Sequence, residues 1–246
     1  MRKSFRIVLL VVILIPIVAT IGFLAWGETP ANPMPEALSA LQSDAQVTVT
    51  TGHWLVFMPN RLKPVTGFIF YPGGRVDYRA YAPLAHQIAA NGYLVVIVRM
   101  PLNLAVFGVD EANHVIAAYP AIQHWAIGGH SLGGAMAANF ARNHGTEVDG
   151  LVLLAAYPAS GDDLSSSGLR VVSIYGTLDG LANSEKMDAS RPLLPPDTTW
   201  VPITSGNHAQ FGWYGDQAGD HPAGISRTDQ QAQIVAATLA LLEKIE

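Results

Sequence analysis

Short apolar runs alternate along this chain with longer stretches whose apolar positions recur at helical spacing. Residues 47–50 (Val-Thr-Val-Thr) and 54–58 (Trp-Leu-Val-Phe-Met) read as a hairpin-like pair with Thr51 and Gly52 as the turn. Residues 68–71 predict a buried strand, and residues 78–91 a helix that Gly92 ends at its C′ position. Residues 93–98 predict the next strand, 110–119 a helix, and 124–128 a strand followed by a helix reaching about His144. Further strands are expected at 150–156, 169–175 and 199–203, and a final helix from about Arg227. That helix carries Ile234, Val235, Thr238, Leu239, Leu241, Leu242 and Ile245 at its apolar positions. Apolar strands that are continuous rather than alternating are buried on both faces. The expected fold class is therefore α/β: a doubly wound, mostly parallel sheet flanked by helices.

The first residues break this rhythm. Arg2, Lys3 and Arg6 precede an apolar run, 7–26, that holds no charge, with Glu28 after it. About 20 apolar residues suffice for a helix to cross a bilayer, and Pro16 is better tolerated there than in water. The basic flank predicts a cytoplasmic start and an exported bulk, so the expectation is an N-terminal transmembrane helix. The rival is a secretory signal, because Ala25-Trp26-Gly27 has the small-x-small form of a cleavage site. Both readings put the rest of the chain outside the cytoplasm. The expected organisation is an anchor or signal over 1–27, a Pro-rich tether over 28–45 and one domain over 46–246.

Composition narrows the function classes. Half of the 246 residues are hydrophobic, which suits one sizeable α/β domain. The net charge of −5 gives no electrostatic footprint for nucleic acid. With no cysteine, disulfides, thiolate metal sites and a cysteine nucleophile are excluded.

The chemistry lies between the strand at 124–128 and the helix after it, in Gly129-His130-Ser131-Leu132-Gly133. A G-x-S-x-G between strand and helix is a nucleophile elbow: the glycines let the two elements approach, and Ser131 is pushed outward at the positive end of the helix. Ligand sites of open parallel sheets lie beyond the carboxyl ends of the strands. A neutral serine needs a general base there. Of the eight histidines only His208 follows a strand directly, in Ser205-Gly206-Asn207-His208. His124 precedes its strand, His130 points away from the elbow as a structural donor, and the others fall on helices, an early strand or a late loop. The imidazole needs a carboxylate to orient it, and Asp179 in Gly176-Thr177-Leu178-Asp179-Gly180 is the choice, with Asp162 and Asp163 as fallback. The oxyanion donors expected are the backbone N–H of Leu132 and of Gly74, with Arg75 second to Gly74. Residues 210–226 hold Phe211, Trp213 and Tyr214 and are expected to wrap over the site as aromatic walls. A metal held by Asp216, Asp220 and His221 is the lesser reading, since turn formation accounts for them equally. No metal or organic cofactor is predicted.

Together these residues resemble the α/β-hydrolase superfamily, most nearly its small bacterial members related to dienelactone hydrolases. The landmarks are Tyr71-Pro72-Gly73-Gly74, Met100-Pro101-Leu102-Asn103-Leu104, Gly128 through Gly134, and Gly206-Asn207-His208-Ala209-Gln210-Phe211-Gly212. The order Ser131, Asp179, His208 is the superfamily's order. The resemblance implies a cofactor-free Ser-His-Asp hydrolase acting on small-molecule esters. Dienelactone hydrolases proper use a cysteine nucleophile, so their substrate is not implied. Residues 158–168 are too short for a sizeable cap between strands, which predicts an open cleft. The machinery alone leaves thioester cleavage, amide cleavage, acyl transfer or a non-catalytic, membrane-tethered binding role as alternatives.

Overall fold

The structure, a computed structural model, describes the backbone of residues 2–246 and their side chains except those of residues 2–8 and 11. Eight strands form one sheet in the order β1-β2-β4-β3-β5-β6-β7-β8. They are β1 (Val47–Thr51), β2 (Trp54–Pro59), β3 (Thr66–Tyr71), β4 (Leu94–Val98), β5 (His124–His130), β6 (Gly150–Leu154), β7 (Arg170–Gly176) and β8 (Thr199–Ile203). β1 pairs antiparallel with β2, and β2 antiparallel with β4. Every other pairing is parallel. The order runs outward in both directions from β3, the switch point beside which open sheets bind ligands.

The helices are α1 (Arg2–Gly27), α2 (Pro35–Ser39), α3 (Ala82–Ala90), α4 (Glu111–Ala118), α5 (Leu132–Asn143), α6 (Ser184–Ser190) and α7 (Arg227–Leu242). Side chains alternate across the strands and so feed two cores. Phe68 and Phe70 of β3 join Ile88 of α3 and Ile234 of α7 on one face. Ile69 and Tyr71 join Val115 of α4 and Phe140 of α5 on the other. All of β3, β4 and β6 is buried, as continuous apolar strands require when helices cover both faces.

Two stretches depart from expectation. Residues 78–81 form a 3-10 turn before α3, because Pro83 fits only the first turn of an α-helix. The segment 28–45 does not run free as a tether. Its Ala31 bridges Val76, Met34 N–H donates to the Trp213 carbonyl at 2.8 Å, and it carries α2.

α1 is helical through Pro16, and its described side chains from Leu9 to Trp26 are all exposed. Among the described residues no helix is long and apolar enough to cross a membrane. The transmembrane helix expected over 7–26 falls partly on side chains outside the description.

Candidate active site

The turn from β5 into α5 is as tight as the motif implies. A methyl group on Gly129 would lie 2.6 Å from the Gly133 carbonyl carbon, and one on Gly133 would collide with the Tyr71 carbonyl oxygen. Between them Ser131 takes φ 52° and ψ −122°, a strained conformation for a non-glycine residue. Strain of this kind clusters on one rim. The non-glycine residues at positive φ among those described are Arg75, Leu102, Asn103, Ser131, Ala155 and Ser205. Each lies in a loop leaving the carboxyl end of β3, β4, β5, β6 or β8.

Asp179 and His208 meet on that rim, beyond β7 and β8. His208 Nδ1 donates to Asp179 Oδ2 at 2.8 Å, with both side chains buried. The other carboxylate oxygen, Oδ1, accepts the N–H groups of Leu181 at 2.7 Å and Ala182 at 2.6 Å. The carboxylate is thus oriented from both sides, and it fixes the proton of His208 on Nδ1. His208 Nε2 is buried without a hydrogen-bond partner. Ser131 and His208 line the same cavity of about 300 Å³, whose walls also hold Leu132, Tyr157, Leu181 and the alanines at 135, 155, 156 and 182. His208, with Nε2 unpartnered, and Ser131, strained at the elbow, thus line one largely apolar recess.

The two expected oxyanion donors lie side by side. A methyl group on Gly74 would stand 3.0 Å from Leu132 Cδ2. Arg75 is not a donor to the site, because its N–H is spent on the Asn103 carbonyl at 2.8 Å. Gly73 N–H is spent as well, on the Tyr81 hydroxyl at 3.0 Å. The positive end of α5 adds its field at the same place.

Several further residues hold the site through contacts that the sequence does not show. The Tyr81 hydroxyl accepts from Gly73 and stands 2.8 Å from His130 Nδ1, linking the loop after β3 to the elbow. His130 lies against the His208 ring, with centroids 4.5 Å apart. Burial, reinforced by His208, holds the His130 pKa well below the usual histidine value, so it is a neutral packing partner. Gln230 of α7 grips Asn207 at both backbone groups, accepting its N–H at 3.0 Å and donating to its carbonyl at 2.8 Å. Asp220 accepts Gly180 N–H at 3.0 Å and Ala209 N–H at 2.8 Å, tying the loop of Asp179 to that of His208. Arg227 donates to the carbonyls of Ala209, Gly212 and Gly215.

The stretch 210–226 differs from expectation. Phe211 and Tyr214 do not wall the cavity but pack on His130: Phe211 is buried and stacked on it at 5.7 Å, and Tyr214 is buried beside it, while Trp213 lies 5.9 Å from the Arg227 guanidinium. The rings find apolar burial there that an open rim would not give. Asp162 and Asp163 lie outside the site. Asp162 accepts from Asn139 of α5 at 2.7 Å, and Asp163 accepts from Ser165 N–H at 2.9 Å. Among the described residues no group of three or more His, Asp or Glu is placed to hold a metal ion.

Comparison with known proteins agrees with this architecture. The sequence model of the alpha/beta hydrolase family matches residues 67–232, well over half the chain. No curated protein matches. Among solved structures, the esterase domain of a Rhodothermus marinus protein superposes with a TM-score of 0.60 at 14% identity, covering 79% of this chain and 98% of that one. A protein described as a predicted CIB-like hydrolase from Thermoplasma acidophilum gives 0.57 at 12%, covering 81% and 98%. An alpha/beta hydrolase enzyme from the metagenome of Mar Chica lagoon sediments, Morocco, gives 0.53 at 15%, covering 68% and 91%. At these identities the likeness is one of fold. The sheet order, the elbow and the family match lead to one conclusion: the chain belongs to the alpha/beta hydrolase family.

Proposed function

We propose that the protein is a serine hydrolase of carboxylic esters working through an acyl-enzyme, with Ser131, His208 and Asp179 as its triad. The observation that carries this reading is the Asp179–His208 hydrogen bond, made through Nδ1 so that Nε2 is left unpartnered, on a histidine that lines the same cavity as Ser131. Ser131 Oγ attacks the ester carbonyl carbon and gives its proton to His208 Nε2, while Asp179 stabilises the imidazolium. The N–H groups of Leu132 and Gly74 receive the negative charge that develops on the carbonyl oxygen. As the tetrahedral intermediate collapses, the C–O bond to the alcohol breaks and His208 protonates the leaving oxygen. Water, deprotonated by His208, then attacks the acyl carbon and releases the acid and Ser131. The oxygen leaving group is chosen over nitrogen or sulfur because one structural neighbour, the domain from Rhodothermus marinus, is described as an esterase.

We place this activity at a membrane, with α1 lodged in the bilayer, the N-terminus cytoplasmic and the catalytic domain extracytoplasmic. Support comes from the uncharged run 7–26, its basic leading flank and the exposure of its described side chains.

The test is fluorophosphonate labelling together with p-nitrophenyl butyrate turnover, in the wild type and Ser131→Ala. Both should be lost in the variant while its thermal unfolding is unchanged. Turnover retained by Ser131→Ala removes the assignment.

A further inference from the structure

The last turn of α1 docks on the loops that form the rim of the site. Arg75, next to the Gly74 donor, sends its guanidinium to the carbonyls of Trp26 at 3.0 Å and Thr29 at 2.7 Å, and lies 4.3 Å over the Trp26 ring. Asn103 Nδ2 donates to the Gly27 carbonyl at 2.9 Å. Phe107 meets Phe23 edge-on, with centroids 6.3 Å apart. Phe23 lies four residues before Gly27, so Phe107 reaches back along the helix by about 6 Å from its end. Phe107 and its neighbour Val106 are about half exposed, as are Phe23 and Trp26, and form one apolar surface with α1. The same loop supplies Leu104, which borders Gly74: a methyl group there would be 3.7 Å from Leu104 Cδ2. The first charges after each apolar stretch are Glu28 and Asp110, both exposed.

These contacts fix the depth of the rim. If α1 lies in a bilayer, Phe107 lies at the level of Phe23 and enters the same apolar layer. The oxyanion loop is then held at the membrane surface. We propose that the enzyme takes its substrate from that membrane: the carboxylic ester of a membrane-partitioned amphiphile, its acyl chain received by the alanine-lined cavity. This rests on the ester-hydrolase reading above and on the lodging of α1.

The experiment uses the full chain in phosphatidylcholine vesicles with two substrates, a bilayer-partitioned 4-methylumbelliferyl palmitate and the water-soluble p-nitrophenyl acetate. Phe107→Asp should lower turnover of the vesicle-borne ester about tenfold, the worth of one well-buried aromatic contact, and leave the soluble ester unchanged. An equal fall on both esters overturns the proposal. So does a wild type that labels with fluorophosphonate and turns over only the soluble ester. Absence of labelling and of all turnover sinks the hydrolase reading itself, and this proposal with it. A second measurement is independent of catalysis and uses the chain's lack of cysteine. Phe107→Cys, carrying a nitrobenzoxadiazole fluorophore, should be quenched by doxyl-labelled lipid, while Glu147→Cys at the far end of the sheet should not. An unquenched probe at 107 overturns the proposal.

Discussion

At residue scale, the Asp179 carboxylate shows why charge alone does not describe its role. Oδ1 is committed to the N–H groups of Leu181 and Ala182, so only Oδ2 is left for His208. In Asp179→Asn the side-chain oxygen must stay with those two donors, and the new NH₂ must face His208 Nδ1. Nδ1 then becomes an acceptor and the proton moves to Nε2, where a base is needed. We expect kcat to fall about 10⁴-fold with little loss of stability. Steady-state kinetics of the variant, with calorimetry to confirm folding, checks this. His130 gives a prediction of another kind. Its folded-state pKa is depressed by burial, while in the unfolded chain it titrates near 6.5. The unfolded state therefore binds a proton that the native state does not. Stability is fully present above about pH 6.5 and declines below it by up to about 1.4 kcal/mol per pH unit. The groups facing His130 are Tyr81, His208, Phe211 and Tyr214. The two tyrosines are pushed above their ordinary value by burial and stay neutral throughout. His130→Phe should flatten the profile between about pH 6.5 and 5, as measured by urea unfolding.

At the scale of elements, the site is assembled by loops that other elements hold in place. Gln230 satisfies both backbone groups of Asn207, the residue before the proposed base. Gln230→Ala leaves a buried N–H and a buried carbonyl unpaired, a cost of about 1–3 kcal/mol each. Because the loop loosens next to His208, kcat should fall while KM holds. Chemical denaturation and a kcat–KM comparison separate the two effects. This division also explains what could be read from the sequence. The strands were legible because burial on both faces leaves continuous apolar runs, and Ser131, Asp179 and His208 because each follows a strand in a small-residue turn. Tyr81, Gln230, Asp220 and Arg227 were not legible. Gln230, Asp220 and Arg227 bind backbone groups remote in sequence, and a backbone partner leaves no mark in residue type; Tyr81 joins the Gly73 N–H to the His130 ring, a meeting that only the fold creates. The short helices α2 and α6 were missed for a related reason: neither is long enough to show a period.

For the molecule as a whole, the N-terminal segment belongs to the architecture of the site. Residues 26–31 lie along the loop that carries Gly74, with Arg75 gripped by two carbonyls and Ala31 paired to Val76. A chain beginning at residue 32 should keep its two cores but lose that grip. We expect its kcat toward a soluble ester to fall about tenfold, short of the 100- to 1,000-fold that follows outright loss of an oxyanion donor. Comparing the shortened and full chains on p-nitrophenyl acetate in detergent measures it. The cavity they share has a further consequence. Four of its nine lining residues are alanines. A floor of methyl groups can be raised by larger side chains, least freely at Ala155 with its positive φ, and scarcely lowered at any position. Descendants of this sequence can readily become choosier about the chain they accept, whereas greater tolerance would require the backbone itself to move.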